Sequence, residues 1–306
     1  MQKNLDMPFF TVIIPTYNRA DLIEVAINSV LQQSFTDFEI IVIDDASQDD
    51  TEKVVGKFSD IRIRYIKNEL NIERSRTRNK AINLAKGNYI TFLDSDDYYL
   101  ENHLQNFYDE ISSVKLKNAL FFCNKKTLEN KVISSNVFMP ISENPVEYFL
   151  LIPVMPLQVC VSKDILLKHQ FNPYIHINED SLLWMEIASE YPVYQSAKET
   201  CVYLTHENNS INVQKNNVFK NRLDSINIAL ANPNIKKNIS REKQQLAKSN
   251  CYFGMFNYHH FQKNTFKKIV TILEAIFLYP KIKLKNKIYL LLSCLPFFSL
   301  FFKHEP

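Results

Sequence analysis

Two patterns alternate through the first hundred residues. Apolar, β-branched runs at 9–14 and 38–43 stop abruptly, the first at Pro15 and the second at Asp44-Asp45. A run at 61–66 alternates apolar with charged residues, as a less buried strand does. A fourth, through Ile90, Phe92 and Leu93, runs straight into Asp94. Helical stripes lie between them. Asp21 precedes Leu22, Val25, Ala26, Ser29 and Val30 on one face. Asp49, Asp50, Thr51 and Glu52 open a short helix through Val54, Val55 and Phe58, with acids where the helix dipole favours them. Residues 77–86 read as a helix closed by Gly87 at a C′-like position. This alternation predicts an α/β fold, a Rossmann-like, doubly wound, mostly parallel sheet flanked by helices.

Beyond residue 102 the alternation loosens. The pattern predicts a helix over 102–116, strands over 119–123 and 132–138, and a stretch punctuated by Pro140, Pro145, Pro153 and Pro156. A strand at 157–161, helices at 163–169 and 180–189, and strands at 193–201 and 202–204 follow. Residues after about 211 read as helical and basic. The expected organisation is a catalytic domain over 1–210, with a nucleotide-binding half at 1–100 and an acceptor half at 101–210, and a helical, basic and apolar C-terminal region over 211–306.

Composition narrows the chemistry. Three glycines in 306 residues leave no way to write a dinucleotide-binding or P-loop glycine motif. A net charge of +3 does not by itself imply nucleic-acid binding, and none is expected. Cys123, Cys160, Cys201, Cys251 and Cys294 lie far apart, so they read as small buried hydrophobes in a reducing compartment rather than a zinc knuckle or a disulfide framework. The first eight residues have no apolar leader-like run, which points to a cytoplasmic protein, peripheral on the cytosolic face of the inner membrane.

Asp94, Asp96 and Asp97 crowd three like charges at the edge of a core, and each disfavours ionisation of the next. A divalent cation relieves that repulsion, and Mg²⁺ or Mn²⁺ is commonly held by one or two carboxylates with substrate phosphates. The other reading is an acidic turn capping the next helix. Asp44-Asp45 and Glu179-Asp180 carry the same two readings, ligand binding or a helix cap. The Pro15–Arg19 turn, the Asp44-Asp45 pair and the Asp94–Asp97 cluster each follow a candidate strand at its carboxyl end, and ligands of open α/β sheets bind beyond the carboxyl ends of strands.

Taken in order, the segments VIIPTYNRADLI, SVLQQSF, FEIIVIDDASQDDT, the Arg78-Asn79 pair and AKGNYITFLDSDD resemble the family 2 glycosyltransferases, inverting enzymes of the GT-A fold, throughout residues 9–104. The resemblance implies that Pro15, Thr16 and Tyr17 pack on a nucleotide and that Asp45 accepts a hydrogen bond from its base, usually uracil. It implies a metal, Mn²⁺ or Mg²⁺, on Asp96, with Asp94 on the ribose or the metal's water shell, and Asp97 structural. Ser95 falls in the same nucleotide-sugar turn, and Arg78 anchors the nucleotide or packs its helix. Asp180, with Glu179 as runner-up, is the base that deprotonates the acceptor hydroxyl. His206 falls where relatives carry a His near the diphosphate, as a further metal ligand. The implied partners are a nucleotide-sugar donor, UDP-linked, and a glycan or lipid-linked saccharide acceptor of surface polysaccharide biosynthesis. Glu73 and Ala46 stand where relatives often have Gly. A catalytically inactive, scaffold-like member of the same family is the alternative.

Lys281, Lys283, Lys285 and Lys287 precede an apolar run, 288–302, interrupted by Pro296. The run is short of the roughly 20 residues a spanning helix needs. It reads as an interfacial anchor on an anionic leaflet or as a helix packed on the domain.

Overall fold

The computed structural model describes residues 7–206, 218–261, 265–279, 287, 288 and 291. Contacts divide the chain into two compact units, Met1–His206 and Glu207–Pro306.

The first unit is built on a nine-stranded sheet. Strands β1 (Phe10–Thr16), β2 (Phe38–Asp44), β3 (Ile63–Lys67) and β4 (Tyr89–Phe92) pair in parallel in the order 3-2-1-4. Helices α1 (Ile23–Leu31), α2 (Thr51–Val55) and α3 (Arg74–Leu84) make the crossovers. Almost every residue of β1, β2 and β4 is buried, which is why they read as continuous apolar runs. At the edge, β3 is half-buried and keeps its alternating charges. Because the strands are parallel neighbours, their carboxyl tips lie side by side, bringing together the turns that follow Thr16, Asp44 and Phe92.

The sheet continues through β5 (Tyr98–Tyr99), β6 (Leu120–Glu129), β7 (Val132–Ser135), β8 (Val159–Ser162) and β9 (Val193–Leu204), with α4 (His103–Ser113), α5 (Pro145–Leu151), α6 (Lys163–Leu166) and α7 (Glu179–Ala188) between them. Parallel pairing gives way here to a mixed pattern. β8 runs antiparallel to both β4 and β6, β5 to β9 and β7 to β6, whereas β6 and β9 are parallel.

Several local expectations change. Residues 193–204 form one strand, not two, with register shifts against β6 around Asn124. The proline-punctuated stretch contains α5: Pro145 occupies its first turn, and the Asn144 side chain accepts from Val146 N and Glu147 N. Proline acts there as a helix starter because a first-turn N–H has no helical partner anyway. Gly87 has no left-handed backbone. A Cβ on it would lie 2.5 Å from Phe10 C and Thr11 N, so it serves close approach to β1. Among the described cysteines, Cys123, Cys160, Cys201 and Cys251 are buried and free. The fold brings Cys123 and Cys201 to 3.9 Å, with His103 completing a group within 4.8 Å.

The second unit contains α8 (Val218–Ala231), α9 (Pro233–Lys236), α10 (Arg241–Phe261) and α11 (Thr265–Leu278). Phe256 and Ile272 centre a small core between α10 and α11. Lys281, Lys283, Lys285 and nearly all of 288–302 lie outside the described residues. Lys287 does not face solvent with a basic run. It is buried, and its ammonium donates to Ser249 Oγ, Ala275 O and Tyr279 O at 2.7, 3.0 and 2.9 Å. Among the described residues, no helix is long and apolar enough to cross a membrane.

Candidate active site

At the tip of β2 the two aspartates are consumed by their own loops. Asp44 accepts from Ser47 N at 2.8 Å and from the Tyr65 hydroxyl. Burial and the Asp44 charge push the Tyr65 phenol well above its ordinary value. Asp45 accepts from Asn68 Nδ2 (2.9 Å), Ile72 N (2.9 Å) and Glu73 N (3.0 Å), and its own N–H donates to Thr16 O (2.9 Å). Neither side chain caps a helix; they close turns. A carboxylate has about four acceptor positions, so Asp45 retains one. Beside it, the Thr16 hydroxyl is buried without a partner, while Tyr17 is exposed and Pro15 half-buried.

Left-handed backbone occurs both in the loop gripped by Asp45, at Glu73, and directly after Asp45, at Ala46. Glu73 has φ 71° and Ala46 φ 68°. With ψ at 156°, Glu73 lies in a region essentially reserved for glycine. Its carboxylate reaches His176 Nδ1 at 3.9 Å, across the mouth formed by this loop and the segment before α7.

The turn after β4 opens into a second group. Asp96 Oδ2 lies 2.9 Å from His206 Nε2 and 3.9 Å from Arg19 Nε. Asp94 Oδ1 accepts from Arg78 Nη2 at 2.6 Å. Ser95 is buried between them in sequence. Asp97 turns inward, where Oδ1 accepts from Leu204 N at 2.8 Å and Oδ2 has no partner. Burial, then Asp94 and Asp96, hold its carboxyl well above the usual carboxylate range. Asp97 thereby pins the end of β9, two residues before His206.

Arg78 joins this turn to α7. Its guanidinium is 3% exposed, donates to Glu179 Oε1 at 3.0 Å as well as to Asp94, and lies 5.4 Å over the Phe171 ring. Burial opposes its charge, but Asp94, Glu179 and Asp180 outweigh that and raise its pKa. Asn79 exchanges two hydrogen bonds with the Phe171 backbone, at 2.8 and 3.0 Å, so it fastens the chain ahead of α7. Arg78 and Asn79 thus organise the protein around the cleft.

The Glu179-Asp180 pair divides. Glu179 is buried on Arg78. Asp180 is half-buried, and its Oδ1 accepts from Ser181 N at 2.6 Å. Burial first, then the Glu179 charge, push the Asp180 pKa up to about 7, with Ser181 N–H and Arg78 pulling it back. Neither residue accepts α7's capping bonds; Asn178 precedes the helix in a left-handed conformation and its side chain makes no cap either.

Two cations escaped the reading of the sequence. Arg19 lies in the 15–19 turn beside the recognised motif. Lys125 sits mid-strand, where no local pattern marks it; its Nζ lies 5.3 Å over the Tyr203 ring. Burial lowers the Lys125 pKa, while Cys201 and Asp97 draw it back up. Burial and then Asp97, Asp96 and Asp94 push Tyr203 up to about 12, so its phenol stays neutral beside the carboxylates.

Comparison with known proteins agrees with this architecture. The sequence profile of Glycosyl transferase family 2 matches residues 11–153. WfaP of Escherichia coli, a UDP-Glc:alpha-D-GlcNAc-diphosphoundecaprenol beta-1,3-glucosyltransferase, is 33% identical over 188 residues, 60% of this chain and 72% of that protein. WfgD of the same species, described in the same words, is 33% identical over 61% of this chain and 72% of its own. Among solved structures, S. aureus TarS 1-349 in complex with UDP-GlcNAc superposes with a TM-score of 0.63 at 18% identity, covering 93% of this chain and 84% of that one. A mannosyltransferase of Pyrobaculum calidifontis, in complex with GDP-Man and Mn²⁺, gives 0.63 at 16% identity over 96% and 83%. Both share the GT-A fold seen here. With the strand order, the acidic tips and a relative matched over most of its length, this chain is a glycosyltransferase belonging to family 2.

Proposed function

We propose that the protein is a metal-dependent, inverting transferase that moves a sugar from a UDP-linked donor to a hydroxyl of a lipid-linked glycan in surface-polysaccharide assembly. The observation that carries this reading is the division of labour around Arg78. One guanidinium fixes Asp94 and Glu179 and leaves Asp180 as the open carboxyl, with a pKa of about 7. A general base works best with its pKa near the operating pH.

The nucleotide end of the donor belongs to the β1 and β2 tips. Asp45 has one acceptor position for a base N–H, the unpartnered Thr16 hydroxyl stands beside it, and Pro15 and exposed Tyr17 form the adjoining surface. The turn residues Asp94, Ser95 and Asp96 belong to the ribose and diphosphate. Asp96 and His206, 2.9 Å apart, would offer the ion an oxygen and a nitrogen, with Asp94 at its water shell or the ribose, a set that suits Mn²⁺ and also admits Mg²⁺. Such an ion supplies neutralisation of the charge that develops on a departing nucleoside diphosphate. Arg19 adds a cation on the same side. Asp180 then accepts the proton of the acceptor hydroxyl, and Arg78 and Glu179 hold Asp180's helix at a fixed distance from the donor turn. The names of WfaP and WfgD motivate the acceptor class, an undecaprenyl diphosphate-linked sugar, and UDP-Glc as the first donor to try.

Incubation with UDP-glucose, Mn²⁺ and GlcNAc-diphosphate-lipid tests the reading directly. The expected product carries a β-linkage by NMR, and chelation abolishes its formation. An α-linked product, or transfer that persists in excess chelator, overturns it.

A further inference from the structure

Next to β5, the strand that follows the Asp94–Asp97 turn, three elements send a donor atom each into one dry spot. His103 opens α4, Cys123 lies in β6 and Cys201 in β9, and their exposures are 0, 1 and 0%. A donor atom of each lies within 4.8 Å of the other two. Spacing along the chain argues against a zinc knuckle, but here the fold does the gathering. The ring of His103 is clamped, stacked on Tyr99 with centroids 3.7 Å apart and met edge-on by Phe107. Its Nδ1 lies 2.9 Å from the Thr200 hydroxyl, while Nε2 is buried without a partner among the described residues. A metal-bound imidazole commonly has one nitrogen fixed by a neighbour and the other on the ion. Buried polar atoms with nothing to bind are uncommon, and a cation removes the cost.

The sulfur geometry points the same way. Cys123 Sγ and Cys201 Sγ are 3.9 Å apart, whereas a disulfide needs about 2.05 Å. With metal–sulfur bonds of about 2.3 Å, that 3.9 Å separation gives an S–metal–S angle of about 116°, between tetrahedral and trigonal. The register of β6 against β9 shifts at Asn124, and Asn124 O lies 3.8 Å from Cys201 Sγ, where a fourth donor would stand.

We infer that His103, Cys123 and Cys201 form a structural zinc site that ties α4, β6 and β9 together, apart from the cation of the cleft. Two thiolates and a neutral imidazole bring Zn²⁺ to zero net charge, which a core accepts. Thiolate donors select such an ion, whereas Mg²⁺ and Mn²⁺ prefer carboxylates. Loading replaces two S–H bonds with two Zn–S bonds and releases two protons to solvent. The place matters to the cleft. Cys201 pairs with Tyr99 in β5, and Asp97, just before that strand, accepts from Leu204 N at the end of β9. The ion therefore fixes the joint from which the Asp94–Asp97 turn and His206 extend.

Metal analysis of the untagged full chain, produced in zinc-supplemented medium and dialysed against EDTA, tests the inference. The expected content is about one zinc per chain, retained because the site is sealed from solvent. Asp96→Ala should keep that zinc, since it alters only the cleft. Cys201→Ala and His103→Gln should each lower the zinc content by about tenfold or more. Protein produced with Co²⁺ instead should absorb in the near ultraviolet by thiolate-to-metal charge transfer, and Cys123→Ser should lose the band. Wild type refolded from denaturant with Zn²⁺ should melt at a higher temperature than wild type refolded with a chelator. Wild type that holds well under one zinc per chain, or that melts alike after both treatments, overturns the inference without recourse to any variant. So does zinc retained by Cys201→Ala. A metal-free mass two hydrogens below that of the reduced chain, mapped to Cys123 and Cys201, assigns the thiols to a disulfide and overturns it too. A chain that carries the zinc but transfers no sugar defeats the functional reading and leaves this site standing.

Discussion

Two sets of acids in the catalytic unit do opposite things. Asp44 and Asp45 accept five hydrogen bonds from the protein, from Ser47, Tyr65, Asn68, Ile72 and Glu73. Across the cleft, Asp96 meets only cationic or ionisable side chains, His206 and Arg19, and Asp180 meets the N–H of the next residue. The sequence shows each of them inside a short acidic cluster, Asp44-Asp45, Asp94–Asp97 or Glu179-Asp180. What separates them is saturation. Carboxylates whose lone pairs are filled by backbone and side-chain donors hold loops in place, and carboxylates left short of donors have capacity for a substrate or an ion.

The contrast is sharpest in paired substitutions. Asp180→Asn keeps the size of the side chain and removes the base, so kcat should fall by about 10²–10⁴-fold. Donor binding, measured by titration with UDP, should stay near wild type. Asp44→Ala should do the reverse. It strands Ser47 N–H and the Tyr65 hydroxyl, at a cost of about 2 kcal/mol in denaturant unfolding, while turnover per folded molecule stays within a few-fold. Equal loss of turnover per folded molecule in both variants would erase the distinction.

The pH dependence adds a second reading of the same residue. With Asp180 near pH 7, kcat/KM should rise with pH and level off above about 7. Stability moves the other way. The folded chain holds the Asp180 proton to a higher pH than the unfolded chain does, so this residue withdraws stability as pH rises from about 4 to about 7. Asp180→Asn abolishes that loss. Its melting temperature should exceed wild type at pH 8 and converge with it at pH 4, a gain in stability alongside lost catalysis.

The bridge that Arg78 makes is the part of the site that resisted reading from sequence, although the residue itself was singled out. The strand–helix alternation was legible because apolar period and turn chemistry are local, whereas His206 was singled out only by its position in the family resemblance. The bridge from Arg78 to Asp94 and Glu179 spans sequence separations of 16 and 101 residues, and no local pattern encodes it. The same limit hid the meeting of Cys123 with Cys201, and Lys125 beside Tyr203. The mixed pairing that follows β4 was obscured for a related reason, since antiparallel strands such as two-residue β5 are set by their neighbours more than by their own residues. Breaking the bridge should therefore cost more than stability alone. Arg78→Ala leaves Glu179 buried without its partner and should destabilise the fold by about 3 kcal/mol. It also frees α7 to shift relative to the donor turn, lowering kcat by more than the loss of folded protein explains. Should Arg78→Ala melt like wild type, the bridge is not holding Glu179 and the division between the two acids fails.

The smallest predicted effect tests the saturated side. Asp45 fixes Ile72 N and Glu73 N, and the chain there adopts φ 71° and ψ 156° with a side chain that disfavours it. Glu73→Gly removes that conflict without touching the N–H that Asp45 accepts from. If the conformation is as strained as its angles indicate, the variant should gain about 1 kcal/mol, less the part that glycine returns through the freedom of the unfolded chain. The same substitution severs the contact between Glu73 and His176, so a change in donor affinity with no gain in melting temperature would show that this residue guards the cleft mouth. A net gain in stability with unchanged affinity would show that Asp45's hold on the loop is strong enough to carry an ill-suited residue. The effect is modest because an exposed contact at 3.9 Å contributes little that water does not already supply.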